Sequence, residues 1–278
     1  MKYKNKSKYF QSLLSLLLPL FITLAIVVPV HGKCSNTSYT HALPYVLKKL
    51  QSYDALFLGT THKKKTILNF VSDLIPHLYE TGVTHLALEI CSDQQEIIDN
   101  FLYTGNGLND IALHPLIDCT EYRNILKATS TLHEAKRPRI IALDLPKSLY
   151  KSDMTRDEWM ALSLAKIFNT HQQAKILVVV GNLHILKNVV WEEKVHDPHG
   201  FIRTYLSKSM PHLRIFSIGQ CIDKPPNECD FTKAFGHAEG SIAIDCHRQY
   251  AEWKIGFMRP VASKPHKIYE LLDGVIVH

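Results

Sequence analysis

The sequence predicts an α/β fold: a mainly parallel sheet with helices on both faces, a three-layer sandwich. Three observations carry this. Strand-like and helix-like patterns alternate four times in succession between residues 55 and 180, the pattern of a parallel sheet with crossover helices. The strand runs are continuously apolar, as expected of strands buried on both faces. Each run also ends on a polar residue suited to chemistry. Ala55-Leu56-Phe57-Leu58 and Ile176-Leu177-Val178-Val179-Val180 each lead into a Gly-x-x-His, finishing at His62 and His184. His85-Leu86-Ala87-Leu88 ends at Glu89, and Arg139-Ile140-Ile141-Ala142-Leu143 ends at Asp144.

Of the 278 residues, the first 32 read as a secretory signal. Lys2, Lys4, Lys6 and Lys8 form a basic start, Leu13 to Val30 is almost wholly apolar, and Val30-His31-Gly32 offers small residues for cleavage. The competing reading is an uncleaved anchor, since this apolar run approaches spanning length. The expected location is therefore outside the cytoplasm, periplasmic or extracellular, with membrane contact only if the segment stays attached.

Residues 33–278 are expected to form a single α/β domain with a C-terminal extension from about 221. Without the leader's four lysines, 28 basic residues face 26 acidic ones, so the net charge falls from +6 to +2. That balance argues against nucleic acid as a partner. Cys34, Cys91, Cys119, Cys221, Cys229 and Cys246 all follow the leader. An exported chain meets an oxidising compartment, and Cys221 with Cys229, bracketing a turn-rich stretch, is the first candidate disulfide. There is no Cys-x-x-Cys, so a zinc ribbon or thioredoxin-like centre is not expected.

Taken in order, a helix is expected over Leu43 to Ser52, with Pro44 in its first turn. The first strand, Ala55 to Leu58, precedes a helix from Lys65 to Tyr79, closed by Gly82 as a residue able to take positive φ. A second strand spans Thr84 to Glu89. Ser92 or Asp93 is expected to cap the next helix, which carries Ile97, Ile98, Phe101 and Leu102 and stops near Gly105. A third helix is read over Tyr122 to Lys136 and a third strand over Arg139 to Leu143. A fourth helix, Arg156 to Thr170, lies behind the capping candidates Ser152, Asp153 and Thr155. The fourth strand is Ile176 to Val180. A helix near Gly200 to Lys208 and strands at Leu213–Ile218, Ser241–Ile244 and Gly274–Val277 complete the reading.

Ligands of open α/β sheets sit beyond the carboxyl ends of the strands. His62, Glu89, Asp144 and His184 should share that edge, with the first, second and fourth converging on one pocket. Gly59 and Gly181 are expected to make the turns out of their strands. Two imidazoles and a carboxylate suit a divalent transition metal, with His62, Glu89 and His184 as ligands. Alternatively, one histidine is a general base oriented by Glu89 or Asp144. Against this stand simpler readings: Asp144 can start the turn before Pro146, Cys91 can be a structural thiol, and acids beside Arg156 can serve the helix dipole.

The motifs together resemble the ChaN-like haem-uptake domain, within the superfamily that includes Tiki proteases, TraB-like proteins and erythromycin esterases. They are Leu58-Gly59-Thr60-Thr61-His62, Ala87-Leu88-Glu89 with Asp93-Gln94-Gln95, Ile141-Ala142-Leu143-Asp144-Leu145-Pro146, Arg156-Asp157-Glu158-Trp159, and Val180-Gly181-Asn182-Leu183-His184. Gly-Thr-x-His is closer to the TraB and Tiki form than to the Gly-Glu-x-His common in ChaN. The resemblance implies a pocket lined by His62, Glu89 and His184 with Arg156 nearby. It implies one of three functions: a hydrolase acting on a small molecule or peptide, with or without a metal; a haem-binding protein; or an inactive, partner-binding descendant.

Overall fold

The computed structural model describes residues 39–188, 190–191, 199–221, 229–256 and 267–278. The expected leader lies outside the described residues. The chain opens with β1 (Thr40–His41), α1 (Ala42–Ser52), β2 (Ala55–Thr60), α2 (Lys65–Leu74), β3 (His85–Cys91) and α3 (Gln95–Thr104). It continues through α4 (Thr120–Ser130), β4 (Arg139–Asp144), α5 (Arg156–Thr170), β5 (Ile176–Gly181), β6 (Val190–Trp191) and β7 (His199–Gly200). The last elements are α6 (Ile202–Ser209), β8 (Ile215–Gln220), α7 (Asp230–Phe235), β9 (Ile242–Asp245), α8 (Ile268–Leu271) and β10 (Gly274–Val277).

Among the described residues, eight strands form one sheet in the order β1-β9-β10-β8-β2-β5-β3-β4. Every pairing from β10 to β4 is parallel, and β9 and β1 add an antiparallel margin. The chain beyond residue 221, expected as an extension, contributes β9 and β10 to this same sheet. Side chains alternate across the strands as a period of two requires. Leu56, Leu58, Leu177, Val179, Leu86 and Leu88 pack on one face beneath α1, α2, α3 and α4. Ala55, Phe57, Ile176, Val178, Val180 and Ala87 pack on the other beneath α5, α6, α7 and α8. The result is the three-layer sandwich.

Three helix boundaries differ from the sequence reading, each for a local reason. The helix expected to reach Tyr79 stops at Leu74, because Pro76 has no N–H to continue it. Two 3-10 turns carry the chain to Gly82, whose φ of 78° closes the segment. The third helix stops at Ser130 rather than Lys136. Thr129, Ser130 and Thr131 turn their hydroxyls back onto the carbonyls of Ile125, Lys127 and Ala128, and Arg137 donates to Ser130 O and Leu132 O. These contacts offer the backbone an alternative to further helix. Neither Ser92 nor Asp93 caps α3. A 3-10 turn enters it, and Gln95 reaches sideways to β4, its amide donating to Ile140 O and accepting from Ala142 N. α5 spans the expected Arg156–Thr170, with Thr155 Oγ1 accepting from Glu158 N at 3.2 Å.

Cys221 and Cys229 form the expected disulfide, with Cα atoms 6.2 Å apart. Cys91, Cys119 and Cys246 are free thiols.

Candidate functional site at the carboxyl edge

β2 and β5 are neighbours in parallel register, Gly59 opposite Val180 and Thr60 opposite Gly181. The two Gly-x-x-His segments therefore leave the sheet side by side. Neither glycine makes its turn by positive φ; both still belong to their strands. Gly59 is required for close approach instead, since a Cβ there would run into the side chains of Asn182 and Ile185. Asn182 fastens the two exits together. Its N–H donates to Thr60 O, and its side-chain amide donates to Thr61 Oγ1 and pairs with the backbone of Gln220.

Glu89 is the centre of the site and only 6 % exposed. Oε2 accepts from Gly181 N at 2.7 Å, and Oε1 accepts from Arg156 Nη2 at 2.7 Å. Arg156, at the start of α5, also grips Asp144 in a two-pronged pair, Nε to Oδ1 at 2.8 Å and Nη2 to Oδ2 at 2.7 Å. One guanidinium thus bridges a carboxylate near the end of β3 and the one that ends β4. The planar fork of arginine suits that task in a way lysine does not. Burial works against the charge on Glu89, yet the charges of His184 and Arg156 and the donated N–H groups outweigh it and hold the carboxyl below its usual range.

His184 follows β5 in a turn closed by His184 N donating to Gly181 O. Its Nδ1 lies 2.8 Å from Asp157 Oδ1, and its Nε2 lies 3.8 Å from Glu89 Oε1. Asp157 Oδ1 also accepts from Ile202 N at 3.1 Å, joining α5 and α6 to the site. Burial disfavours the imidazolium, but the Asp157 charge and hydrogen bond, with Glu89 behind them, raise the His184 pKa above its ordinary value. At the rim, Cys91 Sγ lies 3.1 Å from the hydroxyl of the exposed Tyr150. This contact, with partial burial and the nearby charge of Asp144, pushes the phenol up to about 12.

The structure therefore joins Glu89, Asp144 and Arg156 in one hydrogen-bonded group, with His184, held by Asp157, 3.8 Å from Glu89. His62 is exposed on the segment after β2 and makes no hydrogen bond or ion pair with that group among the described residues. Asp157, read from the sequence as a helix-dipole acid, is the residue that orients His184. Its signal was its place beside Arg156 at the opening of α5.

The metal set expected from His62, Glu89 and His184 is not assembled. Among the described residues no three His, Cys, Asp or Glu side chains stand close enough to hold a metal ion. The reason is visible in the donors. Both Glu89 oxygens are taken by N–H groups, one His184 nitrogen is taken by Asp157, and the Arg156 cation occupies the place beside them.

No protein-family model and no curated protein matches the sequence. Solved structures do. An erythromycin esterase, EreC, in its open conformation superposes with a TM-score of 0.62 at 12 % identity, covering 84 % of this chain and 92 % of its own. A succinoglycan biosynthesis protein gives 0.56 at 12 % identity, covering 84 % and 90 %. ChaN of Campylobacter jejuni, described with cofacial haem binding, gives 0.50 at 10 % identity, also covering 84 % and 90 %. The chain thus has a ChaN-like fold, shared with erythromycin esterase.

Proposed function

We propose that this chain is an exported hydrolase-like domain that cleaves an ester or related acyl bond in a small-molecule or peptide substrate. The observation that carries the reading is His184, fixed through Nδ1 by Asp157 and presenting Nε2 toward the Glu89–Arg156 pair. A histidine held in this way has one ring nitrogen committed to orientation and the other available for proton transfer. The 3.8 Å gap between Nε2 and Glu89 Oε1 is too long for a direct hydrogen bond. One water can contact both atoms. In the proposed reaction Nε2 takes a proton from that water as its oxygen attacks the acyl carbon, then returns it to the departing oxygen. Asp157 stabilises the imidazolium formed in between, and Arg156 keeps Glu89 ionised and still. The fold shared with an erythromycin esterase supports ester chemistry. The Cys221–Cys229 disulfide supports export, since such bonds persist in oxidising compartments.

The test is hydrolysis of a panel of activated esters and macrocyclic lactones by the wild type and His184→Ala. The rate of kcat/KM should rise with pH through the raised His184 value and vanish in the variant. Equal rates for the two proteins would sink the reading. Haem binding is the second reading, favoured by the likeness to ChaN, and a haem titration followed in the Soret region decides it.

A further inference from the structure

The opposite, amino edge of the sheet carries a second cluster of chemistry-bearing residues. His85 opens β3 and is 6 % exposed. It lies four residues before Glu89, about 13 Å away along the strand. Its ring stands against that of His171, with centroids 5.5 Å apart and planes at 41°. His171 follows the last turn of α5 and is exposed. Both line an open cavity of about 460 Å³ together with Thr84, Gln172, Gln173 and Ala174.

The hydrogen bonds around His85 leave one of its nitrogens free to act as a ligand. Thr84 Oγ1 lies 2.8 Å from His85 Nδ1 and 3.1 Å from Lys175 O. Lys175 N also donates to this hydroxyl at 3.1 Å; with its one proton turned to Lys175 O, Oγ1 still has a lone pair to accept from Nδ1–H. That arrangement puts the His85 lone pair on Nε2. An imidazole whose far N–H is held by a neighbouring oxygen is the usual form of a metal-ligating histidine.

We propose that His85 and His171 form a two-histidine site for a late first-row divalent cation of the Cu²⁺ or Zn²⁺ class. Water and the amide oxygens lining the cavity complete the shell. Two imidazole nitrogens with oxygen partners are the donor set such ions accept, Cu²⁺ above all. The site is independent of the hydrolase reading. Arg139, paired in register with His85 on the adjacent strand, opposes the cation and sets the affinity below that of a closed structural site.

The probe is Cu²⁺ alone, titrated into the full chain near neutral pH and followed by electron paramagnetic resonance. The tightest equivalent should show two coupled imidazole nitrogens. His171→Ala, at an exposed position that leaves the fold intact, should reduce them to one. Thr84→Val should weaken binding about 10–100-fold by removing the partner of Nδ1. Arg139→Gln should tighten it. The proposal is overturned if no equivalent binds, or if its spectrum and affinity are the same in the wild type and His171→Ala.

Discussion

Asp157 Oδ1 lies 2.8 Å from His184 Nδ1, and this contact fixes which end of the imidazole faces the site. The carboxylate is 5 % exposed and answers to two donors, the histidine ring and Ile202 N. A residue at the second position of a helix thereby acts on a turn 27 residues away.

Replacing Asp157 by Asn keeps an acceptor for Ile202 N but removes the charge that favours the imidazolium. The His184 pKa should fall. The stability effect has a definite sign. A folded pKa raised above the ordinary 6.5 contributes stability that is complete below that value and is lost as pH rises through the folded value. The destabilisation by Asp157→Asn should therefore be greatest at low pH within this window, about 1.5–3 kcal/mol for a hydrogen bond to a charged group. It should shrink as pH rises. Histidine titration by NMR and urea melts across the window measure both, and an unshifted His184 titration would rule the coupling out.

Arg156 is the cation that two buried carboxylates share, so Arg156→Met should leave Asp144 without it and Glu89 with only the charge of His184. Breaking a fully buried pair costs about 3–5 kcal/mol. The Arg156 side chain is 45 % exposed, so solvent screening reduces the expected loss to about 2 kcal/mol. Glu89, now held below its usual range, contributes stability that is present above its ordinary pKa of 4.5 and is lost as pH falls through the folded value. In Arg156→Met the Glu89 pKa should rise and the variant should become more stable on mild acidification. A melt that loses stability with acid as the wild type does would count against the bridging role.

The strands were legible in the sequence because burial on both faces demands unbroken apolar runs, and few other structures do. Arg156–Thr170 was legible for a similar reason, with a threonine cap in front and no proline inside. The ends of the helices before Gly82 and after Tyr122 were harder. They depend on a missing N–H at Pro76 and on hydroxyls at Thr129 to Thr131, neither of which alters hydrophobic spacing. The site divided along the same line. Residues at or near strand ends, Glu89, Asp144 and His184, share one edge because the strands are parallel and in register. Asp157 and the Arg156 bridge come from a helix packed across the sheet, and no local pattern records that placement. His62 follows its glycine by the same spacing as His184, yet it lies exposed on the segment after β2.

Gly59 and Gly181 occupy matching places in sequence and differ in what a side chain would meet. A Cβ at Gly59 runs into Asn182 and Ile185, whereas at Gly181 it meets Glu89 Oε2 and His184 Cδ2 at an ordinary 3.5 Å. Gly59→Ala should cost about 1–3 kcal/mol through overpacking and loosen Asn182 from Thr61. Gly181→Ala should melt within a few tenths of a kcal/mol of the wild type, near the scatter of neutral substitutions. Equal thermal midpoints for the two variants would show that the close approach at Gly59 does not matter.

Gln95 guards the outer strand of the sheet. Among the described residues β4 has β3 on one side and no strand on the other, and an exposed edge invites pairing with another chain. The Gln95 amide covers that edge as a further strand would, donating to Ile140 O at 2.9 Å and accepting from Ala142 N at 2.8 Å. Asp99 Oδ1, one helical turn on, accepts a second bond from the same amide nitrogen at 2.8 Å and holds the rotamer. Gln95→Ala should cost about 1–3 kcal/mol for the two backbone bonds lost. It should also speed hydrogen exchange at Ala142 and raise light scattering on storage. Gln95→Glu is the sharper variant. It retains an acceptor for Ala142 N but sets a carboxylate oxygen against Ile140 O, so exchange at Ala142 should stay slow while stability still falls. If exchange at Ala142 is as slow in Gln95→Ala as in the wild type, the edge is protected by something other than this side chain.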